Sequence, residues 1–528
     1  MQKKSSTSQT SATGAAAFLA ACRAAGMDTC IANPGTTELA FVRAFDDVPG
    51  WRIVPALFEG VCSGAADGYA RIAGRPALTL THLGPGFANS IANLHNARRA
   101  HTPIVNVIGD QTTSHLPFDA PLTSDIESLA RPVSAWVHHL SDAGQAAATG
   151  TEAVAQAVAN GGQIATVVFA ADAQAARTVV PATTAAGRCP APSRAAADPA
   201  AVREAARRLR AGKALLLIGG EALSEAGLQA AQRIVTATGA AFYCETFPAV
   251  MQRGHALPAP ERFPYFPEPA FALVERMLHV VVVGAPEPIT YFGWPGYPSR
   301  IVAKEKLLML ADPTQEATAA LQALAQALEC PPFAFAAPRM QRNDGTGATL
   351  DGASAARTVA AWLPEGAIVS VEGGTCGYPF FTACALAAPH TVMTNTGGAI
   401  GQGLPVALGA ALAAPGRRVV GLQSDGSAQY TLQSMWTMAR ECLPITIVIA
   451  ANRRYAVLQN ELHRDGMEAI TGAAATLTAL DNPPVDWVAL ARGYGVPGEA
   501  VRDCAALDRA LDASLQVQGP YLIELQLL

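Results

Sequence analysis

The sequence predicts an α/β protein made of three doubly wound domains, each built on a parallel sheet. Three observations predict it. Strand-like and helix-like segments alternate through most of the 528 residues, the pattern of parallel strands joined by crossover helices. Two stretches rich in Pro with Ala, Gly or polar residues, "PATTAAGRCPAPSRAAADPA" (181–200) and "PPFAFAAPRMQRNDGTGATL" (331–350), break that alternation and read as linkers. The length is itself a prior for about three domains. The expected domains are 1–183, 184–345 and 346–528.

Half of the residues are hydrophobic and 15% are charged, enough apolar mass for several cores. The net charge is −5 and no basic run stands out, so neither nucleic acid nor an anionic membrane surface is an expected partner. No stretch is long and apolar enough to span a bilayer. The ten cysteines are scattered without a CxxC pair or a Cys/His ligand spacing, which reads as reduced thiols and a cytoplasmic location. Lys3 and Lys4 precede the short apolar run "TGAAAFLAACRAAG", which Arg23 interrupts before "MDTCIANPG". The expectation is a first domain helix after a polar tail, followed by a strand, and not a signal peptide.

In the first block, Glu59 stands in the apolar "ALFEGVC", ahead of the helix-like "GAADGYARIAG". Alone, a carboxylate at a strand end reads as a surface group. His82 precedes a Gly-rich turn in "THLGPGFANSIANLHNA" and alone reads as a histidine tied to that turn. In the central block, "ALLLIGGEALSEAGLQAAQRIV" carries a Gly pair after a strand but no G-x-G-x-x-G, so a structural role is expected and FAD is not.

The third block holds the most chemistry. Asp425 sits in the loop "SDGS", between the strand-like "VVGLQ" and a helix-like run from Ala428 to Glu441; "ITIVIA" and Asn452 follow. In open α/β sheets ligands bind beyond the carboxyl ends of strands, where the next backbone N–H groups suit a phosphate. Gly426 and Ser427 let the backbone come close. A carboxylate there faces like charge unless a cation intervenes, and Mg²⁺ takes such oxygen ligands and bridges them to phosphates. Asn452 lies 452 − 425 = 27 residues on, room for one helix and one strand to return to the same sheet edge with a neutral amide oxygen. The competing reading is an N-capping Asp at an ordinary turn.

The Asp425/Asn452 pair resembles the thiamine diphosphate motif, GDG followed by N or NN, with Ser424 in place of the first Gly and Ala451 in place of the first Asn. With "NPGTTEL" (33–39), E-G-x-C-x-G-A-A-D-G-Y-A and "GPGFANSIANLHNA", the chain is similar over all three blocks to the superfamily of thiamine diphosphate-dependent 2-oxo acid decarboxylases and acetolactate synthases. The resemblance implies a pyrimidine-binding first domain, a central domain and a diphosphate-binding last domain. It implies Mg²⁺ held by Asp425, Asn452 and the backbone carbonyl of Arg454. It makes Glu59 the partner of the cofactor's aminopyrimidine, favouring the tautomer that removes the thiazolium proton; such a Glu needs small and apolar neighbours, where it can share a proton. In "TNTGGAIGQGLPVALGAALA" (394–413), Ile400 matches the wedge between the cofactor rings and Gly398 the carbonyl that accepts from its amino group. Glu372 and Gly373 of "VSVEGGTCGYP" lie toward the diphosphate or the substrate mouth, and Tyr455 toward the diphosphate.

Within the superfamily, benzoylformate decarboxylase and the acetolactate synthase large subunit look most similar. The former implies His82 as a catalytic proton carrier and Thr36, close to Asn33, as a substrate contact. Where that enzyme has a second active-site His, "GAPEPITYFGWPGYP" (284–298) has Tyr291, a hydrogen-bond donor but a poor acid at neutral pH, so a relay of two histidines is not expected. The chain ends at "GPYLIELQLL", a last strand, without the long tail of acetolactate synthases. The function implied is thiamine diphosphate- and Mg²⁺-dependent decarboxylation of a small 2-oxo acid through an enamine that is protonated to an aldehyde. The alternatives are an acetolactate synthase-like carboligase, joining the enamine to a second carbonyl compound, and a non-catalytic cofactor-binding paralogue, against which Glu59, Asp425 and Asn452 argue. A homo-oligomer is expected, a dimer of dimers with the active site between subunits.

Overall fold

A computed structural model describes residues 10–180, 190–335, 337–342 and 349–527. The expected domain boundaries at 183/184 and 345/346, and most of the N-terminal polar tail, lie outside the described residues. The chain divides into two compact units: Met1–Ser193 with Gly397–Pro415 and Thr431–Leu443, and Arg194–Thr396 with Gly416–Tyr430 and Pro444–Leu528.

In the first unit, β1 (Thr10–Thr13) pairs antiparallel with β8 (Arg177–Val180). The strands β2 (Thr29–Asn33), β3 (Arg52–Pro55), β4 (Ala77–Thr81), β5 (Ile104–Asp110), β6 (Trp136–Leu140) and β7 (Ile164–Ala170) form a parallel sheet in the order β3-β2-β4-β5-β7-β6. The N-terminal apolar run is a core helix, Gly14–Ala24, leading to β2 as its pattern predicts. Its Phe18 meets Phe41 and Phe169 at ring distances of 5.8 and 5.9 Å, an arrangement that adds to the area these rings bury.

The second unit carries two sheets. The strands β9 (Ala214–Ile218), β10 (Ala241–Cys244), β12 (Glu261–Arg262), β13 (His279–Val283) and β14 (Leu307–Ala311) run parallel in the order β12-β10-β9-β13-β14. The strands β11 (Met251–Arg253), β15 (Ile368–Val371), β16 (His390–Thr394), β17 (Val419–Ser424), β18 (Ile445–Ala451), β19 (Gly498–Val501) and β20 (Tyr521–Gln526) follow the order β11-β16-β15-β17-β18-β20-β19. Three large sheets, parallel except for the short strand β11, match the expected class. The central strands β17 and β18 are apolar almost throughout because helices cover both faces.

Two local features differ from the sequence reading. Strand β11 comes from the central stretch yet pairs antiparallel with β16 of the last sheet. It is too short to show a period, and buried Arg253 fastens it through the carbonyl of Phe381, with its guanidinium 4.2 Å from that ring's centre. The helical run expected over 428–441 is instead two helices, Asp425–Ala428 and Ser434–Arg440. Between them the Thr431 hydroxyl donates to the Gly401 carbonyl at 2.8 Å, a tie to a distant loop that no helical period reports.

The small residues of "GAADGYA" have a packing reason. The helix Glu59–Ala73 lies against the helix Gly403–Ala413, and a Cβ at Gly68 would sit 2.1 Å from the Val406 carbonyl oxygen. Gly68→Ala therefore forces two backbones apart. A net loss of about 1–3 kcal/mol is expected, outweighing the gain of about 1 kcal/mol that Ala brings to an open helix position. A lowered midpoint of chemical denaturation checks it; an unchanged or raised midpoint would show that the helices can part without cost.

Candidate active site

Three neighbouring strands of the first sheet deliver the expected residues to one edge. Asn33 ends β2, and Thr36 opens the turn Thr36–Glu38 that follows. Glu59 follows β3 as the first residue of its helix, and His82 follows β4 as the N-cap of the helix Leu83–Arg99. This is the carboxyl end of a parallel sheet, where such folds place ligands.

Glu59 is 8% exposed. Its Oε2 accepts from Asn89 Nδ2 at 2.9 Å, and its Oε1 makes no hydrogen bond among the described residues. A Cβ at Gly86, in the "GPG" stretch, would lie 3.0 Å from Glu59 Oε1 and 3.4 Å from His82 Cβ. A missing side chain therefore leaves a space that both the Glu59 carboxylate and the base of the His82 side chain border. Below, burial and the neighbouring Glu59 charge push the Cys62 thiol well up, so it stays a neutral packing group.

The segment that carries Gly398 and Ile400 belongs to the same unit and is pinned from the helix Leu83–Arg99. Asn96 donates to the Ala399 carbonyl at 2.8 Å and accepts from the Ala399 N–H at 3.2 Å, and His95 Nε2 lies 3.1 Å from the Gly397 carbonyl. Gly398 has a φ of +81°, a backbone state that favours glycine. Ile400 stands 39% exposed on this fixed loop.

In the second unit, Asp425 follows β17 and Asn452 follows β18, parallel neighbours in register at Ser424 and Ala450. The two residues thus reach one sheet edge, as their separation predicts. Asp425 is 5% exposed; Oδ1 accepts from the Gly426 N–H at 2.9 Å and Oδ2 from the Arg453 N–H at 2.6 Å. Burial pushes its carboxyl above the ordinary value, against the pull of these N–H groups. No Lys or Arg side chain forms an ion pair with it among the described residues.

Asn452 donates through Nδ2 to Thr375 Oγ1 at 2.9 Å, and its Oδ1 accepts from the Arg454 N–H at 3.1 Å. Arg453 takes a φ of +56°, an uncommon state for a side-chain-bearing residue that turns its N–H to Asp425. The Arg454 carbonyl accepts from the Ala456 N–H at 3.0 Å and keeps a second lone pair. One carboxylate, one amide oxygen and one carbonyl make a hard, oxygen-only donor set that fits Mg²⁺ and not a softer metal. Among the described residues no group of three or more His, Cys, Asp or Glu is placed to hold a metal ion, in keeping with a set that has a single carboxylate.

The surroundings explain the first of the motif's departures, Ser424. Gly373, with a φ of +97°, has no Cβ, and one built there would lie 1.9 Å from Ser424 Oγ, so the hydroxyl at the motif's first position occupies space that glycine leaves. The Tyr455 ring lies against Gly426, where a Cβ would come within 2.6 Å of it; burial, then Tyr430, raises the Tyr455 phenol. Ser427 Oγ donates to the Ser424 carbonyl at 3.1 Å. Glu372 is 4% exposed and accepts from Asn395 Nδ2 at 3.1 Å. Tyr291 stands among aromatic rings, 5.6 Å from Phe247 and 5.0 Å from Tyr265.

The sequence reading missed several supporting residues. Asn89, Asn93 and Asn96 recur at spacings that share one helix face, a signal available in "FANSIANLHNA". Thr375 and Glu38 left no such trace.

Comparison with known proteins agrees with this geometry. Residues 12–129 match the N-terminal TPP binding domain of thiamine pyrophosphate enzymes, and residues 374–525 match the C-terminal TPP binding domain. A "Putative acetolactate synthase large subunit IlvX" of Mycobacterium tuberculosis is 46% identical over 505 residues, 94% of this chain and 96% of the relative. Benzoylformate decarboxylase of Pseudomonas aeruginosa is 27% identical over 528 residues, again 94% and 96% of the two chains. The solved thiamine diphosphate-dependent 4-hydroxybenzoylformate decarboxylase of Rhodococcus jostii superposes with a TM-score of 0.84 at 25% identity, covering 98% of this chain and 99% of that one.

Proposed function

The chain belongs to the thiamine pyrophosphate-dependent enzymes of the decarboxylase and acetolactate synthase type, and from that premise we propose that it cleaves a 2-oxo acid with release of CO₂. Thiamine diphosphate, when bound, supplies a nucleophilic carbon that adds to the keto group and an electron sink for the bond that CO₂ leaves. Glu59 would present Oε1 to the pyrimidine ring and hold the shared proton there, with Asn89 fixing the other oxygen. Gly398 and Ile400 would seat the cofactor's rings. Asp425, Asn452 and the Arg454 carbonyl would hold Mg²⁺, and the backbone at Gly426 and Ser427, with Tyr455, would receive the diphosphate beside Glu372. His82 would move a proton to or from the substrate-derived carbon, with Asn33, Thr36 and Tyr291 contributing to the substrate pocket. A homo-oligomer with the site shared between subunits belongs to the same reading.

The observation that carries it is that Glu59 and His82 both border the space beside Gly86, at the carboxyl ends of two strands of one sheet. A carboxylate for the cofactor and an acid–base group for the substrate are thereby supplied at one edge. A free aldehyde is the product this arrangement favours, because His82 offers a proton carrier. The 46% identity to a relative named for acetolactate synthase favours a second reading, in which the same cleavage is followed by attack on another carbonyl compound.

Product analysis separates the two. With thiamine diphosphate and Mg²⁺, a panel of 2-oxo acids that includes pyruvate and benzoylformate is expected to yield CO₂ and the matching aldehyde from at least one acid. An acyloin or acetohydroxy acid instead would establish the carboligase. No CO₂ from any acid, with cofactor shown to be bound, would overturn both.

A further inference from the structure

Beside His82 lies a carboxylate to which nothing above assigns a task. Glu38 closes the turn Thr36–Glu38 and is 0% exposed. Three groups converge on it. The Gly35 N–H reaches Oε2 at 2.7 Å, the Thr37 hydroxyl reaches Oε1 at 2.7 Å, and His82 Nδ1 lies 2.8 Å from Oε2. Thr37 Oγ1 is also 3.3 Å from His82 Nδ1; with its own proton on Glu38, that oxygen can only accept. Both neighbours of Nδ1 are therefore acceptors. His82 Nε2 makes no hydrogen bond among the described residues, and the side chain keeps 21% of its exposure.

The simplest account is a capping box, in which a Glu reaches back to the first N–H of its own turn. That accounts for the bond from Gly35 but not for the burial or the histidine. The cavity around the pair is also shaped for it. A Cβ at Gly109, near the end of β5, would lie 1.7 Å from Glu38 Oε1, and one at Gly35 would lie 2.3 Å from the His82 ring. Glycines on two separate elements leave room for a carboxylate and an imidazole in contact.

We propose that Glu38 is a positioning residue that holds His82 as the Nδ1–H tautomer, leaving Nε2 as the nitrogen that takes up and returns the proton. A ring nitrogen bonded to a carboxylate fixes both the tautomer and the direction in which the other nitrogen points. The proposal rests on the reading of His82 as the proton carrier, and the test below keeps the two apart.

The test uses cofactor-free, full-length protein labelled with ¹⁵N in the histidine rings, the His82 signals being assigned by their loss in His82→Ala. At neutral pH the expected spectrum shows Nδ1 protonated and Nε2 bare. In Glu38→Ala both acceptor oxygens are gone and the Thr37 hydroxyl is free to donate to His82 Nδ1, so the proton is expected to move to Nε2. CO₂ release by the same variant, reloaded with cofactor, is expected to fall about 10²-fold or more, the lower end of what a placed acid–base group contributes. A wild-type spectrum with Nε2 protonated would overturn the proposal, and this measurement alone decides it if Glu38→Ala does not fold. A tautomer unchanged by Glu38→Ala would overturn it as well. If His82→Ala keeps full CO₂ release while the tautomer shifts as expected, the pairing stands and the role of His82 falls.

Discussion

Glu59→Gln is expected to lower CO₂ release by about 10²–10⁴-fold while leaving the affinity for thiamine diphosphate largely intact. The substitution removes a charge and changes almost nothing else. Gln has the same length, and its carbonyl oxygen can still accept from Asn89 Nδ2, as the native carboxylate does. The NH₂ would then stand where Oε1 faces Gly86, donating where the native group accepts and shares a proton. Steady-state CO₂ release beside a cofactor titration measures both halves. Activity retained in full would show that the proton is handled elsewhere; lost cofactor binding would show that Glu59 holds the cofactor in place and does not activate it.

Asp425→Ala should act on binding and not on turnover. Mg²⁺-dependent affinity for thiamine diphosphate is expected to fall by more than about 100-fold, since partners one layer beyond a metal ligand already cost about 10–100-fold. The physical reason lies in its setting. Burial disfavours the Asp425 anion, two backbone N–H groups offset this only in part, and among the described residues no basic side chain forms an ion pair with it. A cation completes that balance, and the diphosphate needs the same cation against a carboxylate of like charge. Calorimetric titration with and without Mg²⁺ decides it. Equal affinity in wild type and variant would remove Asp425 from the metal site. In the wild type, chelation of Mg²⁺ should reproduce the loss.

What was legible in the sequence follows from what sequence patterns encode. The Asp425/Asn452 pair could be read because one helix and one strand span a fixed number of residues, and β17 and β18 do pair in parallel. Glu59 and His82 could be placed at strand ends for the same reason. The break at 429–433 could not be read, because Thr431 answers to a carbonyl thirty residues back in the chain, and periodicity carries no information about such ties. Strand β11 was missed because three residues show no period. Glu38 could not be read, because only the fold brings His82 and Gly109 against it. The residues that present a ligand group left a pattern; those that hold it in place mostly did not.

The most direct test does not need the substrate. Exchange of the thiazolium C2 proton of bound thiamine diphosphate for deuterium, followed by NMR after acid quench, reads the step assigned to Glu59 itself. Wild-type protein with Mg²⁺ should exchange this proton far faster than free cofactor does, and Glu59→Gln should return it close to the free rate. Bound cofactor that exchanges no faster in the wild type than in solution would contradict the account at its centre.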